Sequence, residues 1–261
     1  FAVTVDKRRN GVRVAEIDEQ YSAISLRQAA KVVLKDWAMK DTEKLIIQAL
    51  ASINGVNFDI ANTTANNAWL VDNADRVLFG AATAGYTDLA TDLALLDASA
   101  DRLTVAAINK MKYMATVTAN PKIRPIRTAE NGRHYYVLYC DPRCFRDLKN
   151  ESNSPLIAAQ RESVKEMENN RLFQGGDLLW NGVIIKEIHE MYDELAVPFT
   201  DLGDGATTEV GCAFLCGAQA VGAAYAKRWT SKEETFDYGD KKGAAIESIY
   251  GIKKMTFGSG S

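Results

Sequence analysis

Glu187, His189, Glu190, Asp193 and Glu194 place four carboxylates and one imidazole within eight residues, a donor set that could hold a divalent cation through oxygens and one ring nitrogen. The spacing departs from the His-Glu-x-x-His pattern of zinc hydrolases, because Asp stands at position 193. The cluster also continues the apolar run Val183 to Ile188, which reads as a strand. Alternate residues of a strand point to opposite faces, so these ligands diverge unless the chain turns. A solvated strand end is the expectation here, and a metal-dependent enzyme using Glu187, His189 and Asp193 is the last of the alternatives.

Four cysteines form two Cys-x-x-x-Cys pairs, Cys140/Cys144 and Cys212/Cys216. Thiolates four apart on a helix share a face, which is the case for zinc; structural zinc sites use tighter Cys-x-x-Cys knuckles, and no ligand-rich loop accompanies either pair. Asp141-Pro142 after Cys140 reads as a helix start, Asp capping and Pro in the first turn, so the first pair straddles a strand end and a helix. The second pair lies in an Ala- and Gly-rich run expected to be a buried helix, where a free thiol behaves as a small hydrophobe. Plain core thiols are the expectation for all four.

Other chemistry has no sequence support. There is no Gly-x-Ser-x-Gly elbow and no phosphate-binding Walker loop, and Gly80-Ala81-Ala82 and Gly203-Asp204-Gly205 lack the strand-turn-helix context of a dinucleotide site. His134 leads into an apolar strand and reads as structural. No catalytic, cofactor-binding or metal residue is assigned, and no cofactor is expected.

The elements that would position any site can be read from periodicity. Val3-Thr4-Val5 and Val12-Arg13-Val14 alternate as a strand pair with Asn10-Gly11 as the turn. From about Ser22 to Ile53, Ile24, Ala29, Val32, Val33, Trp37, Leu45, Ile46, Ala49 and Leu50 recur near helical spacing, with Arg27, Lys31, Lys35 and Lys44 largely opposite. This is one long helix or a pair restarting at Asp41-Thr42. Asn54 to Thr87 reads as loop with short extended pieces. Helices follow at about 87–96 and 104–115, then a buried strand from His134 to Cys140, a helix from Pro142 to about Lys149, and another from Pro155 to Asn169.

Leu178-Leu179-Trp180 and Val183-Ile184-Ile185 flank Asn181-Gly182, the pair suited to a type I′ hairpin turn. Val210 to Ala226 is uncharged and predicts a closely packed helix of a soluble protein, since it is shorter than the roughly 20 residues a bilayer core demands. Phe236 to Phe257 reads as strand, Gly-rich turn, strand and a final edge. Helices and mostly antiparallel strands in blocks make an α+β chain.

Composition sets outer bounds. The 261 residues carry 31 Lys and Arg against 34 Asp and Glu, with 47% hydrophobic residues, which excludes a disordered chain and permits a sizeable core. A formal charge of -3 argues against a protein whose main work is gripping nucleic acid, although a local basic patch can hide in the average. The start at Phe1 reads as the middle of a longer chain, and Gly258-Ser259-Gly260-Ser261 as a linker or tag remnant.

Several segments, in order, resemble the major capsid proteins of tailed phages of the phage N4-like family, which share the coat-protein fold named after phage Hong Kong 97. They are Ala74-Asp75-Arg76-Val77-Leu78-Phe79-Gly80, then Tyr135-Tyr136-Val137-Leu138-Tyr139-Cys140-Asp141-Pro142 running into Phe145-Arg146-Asp147-Leu148. Next come Asn170-Arg171-Leu172-Phe173-Gln174-Gly175-Gly176 and the hairpin from Trp180 to Glu187. Leu215-Cys216-Gly217-Ala218-Gln219-Ala220, Phe236-Asp237-Tyr238-Gly239 and Gly251-Ile252-Lys253-Lys254 complete the match, which runs from about Val12 to Phe257.

The resemblance implies a peripheral domain in two parts, residues 1–111 with a spine helix at about 22–53 and residues 229–257, around an axial domain at 112–228. It implies an N-terminal arm and extended loop ahead of the spine helix, of which Phe1 to Val14 holds only the returning end. It also implies a structural subunit that self-assembles, through hexamers and pentamers, into an icosahedral shell around phage double-stranded DNA. Portal, scaffolding and decoration proteins would be its other partners, DNA a non-specific neighbour, and the host bacterial cytoplasm the place of assembly. An encapsulin-like or gene-transfer-agent shell protein of the same fold is the alternative. Heterologous edges that close into rings suit such a subunit, and near-neutral charge suits a container that holds DNA without gripping it.

Overall fold

A computed structural model describes residues 2–59, 61–80, 86–127, 132–151, 178–193, 203 and 208–255. In chain order the elements are β1 (Asp6–Ala15), α1 (Glu16–Tyr21), α2 (Leu26–Ala51), α3 (Thr63–Asp72), α4 (Leu89–Ala94), α5 (Val105–Tyr113), β2 (Ile126–Arg127) and β3 (His134–Cys140). There follow α6 (Pro142–Lys149), β4 (Leu178–Trp180), β5 (Val183–Glu187), β6 (Ala213–Cys216), β7 (Val221–Phe236) and β8 (Lys241–Lys254). The mixture is α+β. The chain divides into two compact units, residues 1–50 with 221–255, and residues 51–220 with 256–261.

In the first unit β8 is the central strand of an antiparallel sheet in the order β1-β8-β7. Asp6 pairs with Tyr250 and Ala15 with Lys241 at the two ends of the β1 ladder. Val3-Val5 and Val12-Val14 therefore do not pair with each other. Asn10-Gly11 runs straight through the middle of β1, because β8 offers a partner for all ten residues, and Asn10 Oδ1 accepts from the Gly11 N–H at 2.8 Å.

The long helix is a single one. It buries Ala30, Leu34, Ala38, Ile47 and Ala49, a row whose first three members stand four apart, and small side chains there permit close approach to the sheet. The expected stripe is thus shifted. Ile24, Val32, Val33 and Ile46 are exposed, whereas Arg27 and Lys31, expected on the outer side, both reach Glu233 in β7. At Gly251, a Cβ would lie 1.9 Å from the carbonyl oxygen of Thr4, so the close passage of the chain there requires glycine.

The second unit is built on a five-stranded sheet, β2-β3-β5-β4 with β6 also on β3. β3 and β5 run parallel, while β6 pairs antiparallel with β3, Cys140 opposite Ala213. Tyr136, Leu138, Val183 and Ile185 point to one face, where they pack with Val105 and Ile108 of α5 and Phe145 and Leu148 of α6. Tyr135, Val137 and Ile184 form a cluster on the other. A second core gathers Ile53, Leu70, Phe79, Leu89, Leu93 and Val210.

Local signals account for much of this unit. Asp141 caps α6 with Pro142 following, Asp88 caps α4, and Thr104 caps α5. Asn181 and Gly182 take φ of 46° and 74°, as a type I′ turn requires. Lys112 donates to the Asn181 backbone carbonyl and, at 3.1 Å, to its side chain, and Asn109 Oδ1 accepts from Trp180 Nε1 at 3.0 Å. The hairpin is therefore clamped by α5.

Two expectations fail in this region. Val210 to Ala226 is not a helix: it supplies β6, a turn with Gln219 at φ 65°, and the start of β7. Residues 63–72, read as loop, form α3, anchored by Leu70 and by Asn66, whose side chain donates to the Asp59 carbonyl at 2.9 Å. The helix expected at 155–169 and the tail at 258–261 lie outside the described residues, as does most of the loop at 202–205.

Candidate functional site

Among the described residues, which include the acidic cluster as far as Asp193 but not Glu194, the cluster does not converge on a site. β5 ends at Glu187 and the chain turns at His189 into a helical turn beginning at Glu190, so the segment is not a continued strand. The turn buries Met191 and leaves His189 with 79% of its side chain exposed, its Nδ1 3.9 Å from Glu187 Oε1. Among the described residues no three His, Cys, Asp or Glu side chains gather as metal ligands.

The cysteines come together differently from their sequence pairs. Cys140 ends β3, Cys144 lies in α6, Cys212 precedes β6, and Cys216 lies in β6 opposite Val137. The helix expected around Cys212 and Cys216 is replaced by a strand, because the exposed ladder edge at the end of β3 accepts it. All four thiols are free. Burial pushes the Cys144 thiol up to about 12, with Asp141 and Asp147 adding to the effect, and burial also raises Cys140 and Cys212. Protonated, buried thiols are poor ligands and poor nucleophiles.

Their charged neighbour Asp141 is fully buried and accepts three bonds from Arg143, from its N–H at 2.8 Å, Nε at 3.0 Å and Nη2 at 2.8 Å. The Arg143 guanidinium lies 5.0 Å from the Tyr192 ring centroid. This satisfied pair positions α6 against β3. Asp75, in one of the segments that carry the resemblance, plays a similar part: it accepts from the Asn120 N–H at 2.7 Å while Arg76 donates to the Asn120 carbonyl at 2.6 Å.

The first unit carries its unusual chemistry on its sheet. On the face toward α2, Tyr250 donates to Asp41 at 3.0 Å, and Arg8 donates to the same carboxylate at 3.0 Å. Trp37 of α2 meets Trp229 edge-on at 6.0 Å, Trp229 lies 5.6 Å from Tyr250, and Tyr225 stacks on Tyr250 at 5.3 Å. Register shifts between Tyr225 and Lys227 and between Lys227 and Thr230 free β7 to present Trp229 in this way. An open apolar groove of about 520 Å³ runs beside these rings, lined by Lys35, Met39, Thr42, Trp229, Ser231 and Ile246.

On the other face, Glu247 is only 6% exposed and is met by three lysines, Lys7 at 3.6 Å, Lys232 at 2.7 Å and Lys227. Hydrogen bonds from Lys227 and Lys232 hold its carboxyl down at about 2, although burial opposes them. Sequence inspection did not find this cluster, because its members come from three strands far apart in the chain.

Large apolar side chains stand in water on several elements. α1 buries nothing and exposes Ile17 and Tyr21; α2 exposes Val32, Val33 and Met39; Tyr113 and Val117 are exposed at the end of α5 and just beyond it. No helix among the described residues is long and apolar enough to cross a membrane. Where such side chains gather into one contiguous patch, they mark a contact with other protein.

Comparison with known proteins accounts for this arrangement of surfaces. A family model described as phage capsid protein matches residues 1–260. The major capsid protein of Pseudomonas phage KPP25 is 28% identical over 97% of this chain and 68% of its own. A chain of the cyanophage Pam1 capsid superposes with a TM-score of 0.85 at 31% identity, covering 99% of this chain and 72% of that one. The capsid of Ralstonia phage GP4, at 22% identity and a TM-score of 0.76 over 97% of this chain and 70% of that one, shares the fold.

Proposed function

The chain belongs to the phage capsid protein family, and on that premise we propose that copies of it self-assemble into the icosahedral shell that encloses phage double-stranded DNA. As a member it is a structural coat protein of the virion, with the α+β capsid fold, and not an enzyme. The observation that carries the proposal is the long helix: α2 spans 26 residues yet leaves Val32, Val33 and Met39 exposed, surface that a neighbouring subunit would cover. Each contact in a shell can be weak, because every subunit makes many at once.

The finer parts of the reading belong to the same proposal. The chain would then belong among the phage N4-like coat proteins, a reading that the resemblance of the segments quoted above supports. A peripheral domain at 1–111 and 229–257 would surround an axial domain at 112–228; the discontinuous first unit supports such an arrangement, while residues 51–111 pack within the second. Copies would meet as hexamers and pentamers in the host bacterial cytoplasm, with portal, scaffolding and decoration proteins as further partners. Packaged DNA would be a non-specific neighbour.

Sedimentation velocity of the full native chain at high concentration tests this. Closed particles sedimenting far ahead of the subunit are expected; a strictly monomeric species under every salt and concentration condition would contradict the proposal.

A further inference from the structure

The chain's charge of -3 hides a strong asymmetry. The first unit carries 16 Lys and Arg against 12 Asp and Glu, a charge of +4, and the second carries 15 against 22, a charge of -7. Within the first unit the positive charge is further sorted between the faces of the sheet. Arg8, Tyr250 and Glu233 point toward α2 and are engaged by Asp41, Arg27 and Lys31. The pleat then sends Lys7, Arg9 and Arg13 of β1 to the opposite face. Lys227 and Lys232 of β7 join Lys7 there, since all three reach Glu247.

The anions on that face are fewer. Glu247 is already shared by three lysines, and Glu234, paired with Gly243 across from Arg13, adds one more. With Lys241 of β8 also on this face and engaged by Asp237 at 2.9 Å, six cations against three carboxylates leave an excess of positive charge along a strip about 33 Å long, at about 3.3 Å per residue over ten residues. The Lys7 and Lys232 side chains are 57% and 62% exposed, so the strip is open to a partner.

We propose that this face of the sheet binds the acidic surface of the second unit of another copy of the chain. The inference rests on the coat-protein reading and specifies one of its contacts. The complementary charge is present in the same molecule: Asp59, Asp72, Asp97, Glu190 and Asp193 stand exposed in the second unit. A positive strip on one copy against a negative surface on the next is a heterologous contact, the kind that propagates into rings and closed shells. Opposite charges would steer subunits into register and penalise wrong pairings. Glu247 has a positioning part, gathering lysines of both flanking strands onto one carboxylate.

Zero-length carbodiimide cross-linking of shells assembled from a mixture of ordinary and nitrogen-15-labelled full chains tests the contact. Mixed-isotope links from Lys7 or Lys232 to carboxylates of residues 51–220 are expected. Finding only same-copy links to Glu247, in shells that form normally, overturns this contact and leaves the coat-protein reading standing. A second arm uses R9E/R13E, which keeps Glu247 and its three lysines although Arg9 pairs with Glu247 across β1 and β8, with R9Q/R13Q as the neutral control. With the subunit's unfolding midpoint unchanged, R9E/R13E is expected to lower shell yield about tenfold or more, and R9Q/R13Q less. Unchanged yield in R9E/R13E overturns the proposal. Salt-sensitive retention of duplex DNA through Arg9 and Arg13, without mixed-isotope links, would reassign the strip to packaged nucleic acid and overturn it also.

Discussion

The two compact units solve the problem of stability by different means. The second places a sheet between apolar clusters: Leu138, Val183, Ile184 and Ile185 are completely buried, and the carboxylate of Asp141 beside them is bonded to Arg143 through both oxygens, while Asp92 Oδ2, in α4, is buried without a hydrogen-bond partner. The first lays a 26-residue helix across three strands and buries few large side chains, Leu34 and Tyr250 chief among them. Aromatic rings, Asp41 and Glu247 hold it together, and much of its helix and one sheet face stay in water. The difference teaches that, among the described residues, the second unit closes a dry core of its own, while the first leaves one side of its helix and one sheet face for another molecule to cover.

Truncating the dry core should give the largest effect on the subunit. Leu138→Ala is expected to cost about 2–5 kcal/mol, the transfer loss plus a cavity in a sheet that cannot collapse. Urea unfolding followed by far-ultraviolet circular dichroism measures it. A loss below about 1 kcal/mol would break the contrast between the units.

Next in size is the buttress between α2 and the sheet. Tyr250→Phe removes the hydroxyl that donates to Asp41 and leaves that carboxylate with Arg8, so a loss of about 1–3 kcal/mol is expected in the same assay. If the variant matches the parent, the rings alone hold the helix.

Acid should then probe the sheet face turned from α2. Glu247 has a folded value of about 2 against an ordinary 4.5. Its contribution is therefore fully present above about pH 4.5 and is lost as pH falls from there toward 2. The unfolding midpoint of the parent should fall across that window more steeply than that of Glu247→Gln. Parallel profiles would mean that the lysines contribute nothing through this carboxylate.

The smallest effect on stability is expected from V32S/V33S on the exposed side of α2, within about 0.5 kcal/mol of the parent. The same variant should lose particle yield, which light scattering reads during assembly. Normal yield would show that this helix face is not covered by a neighbour.

Much of the second unit was legible in the sequence because its signals are local. The run from His134 to Cys140, the Asp141-Pro142 start and the Asn181-Gly182 turn each fix their own backbone, and the structure places β3, α6 and the β4-β5 hairpin there. Ala- and Gly-rich residues 210–226 carry no decisive period, and the vacant ladder beside Val137 to Cys140 made them strand rather than helix. Asn10-Gly11 looked like a turn for the converse reason: the dipeptide permits a turn, but pairing along the whole of β8 outweighs it.

The burial stripe of α2 was misplaced because exposed valines mimic a core face when a subunit keeps its apolar surface for a partner. The Glu247 cluster joins Lys7, Lys227 and Lys232 across strands remote in sequence, so only the register of the sheet could reveal it. Function was legible through ordered segments rather than through any set of reactive residues.

The central claim is that this chain works by its surfaces, as a repeating wall. Electron cryomicroscopy of particles formed by the full native chain tests it most directly. The account predicts closed icosahedral shells in which each subunit's density takes this fold, with the exposed side of α2 covered by a neighbour. Monomers or irregular aggregates alone, under all conditions that keep the subunit folded, would contradict it.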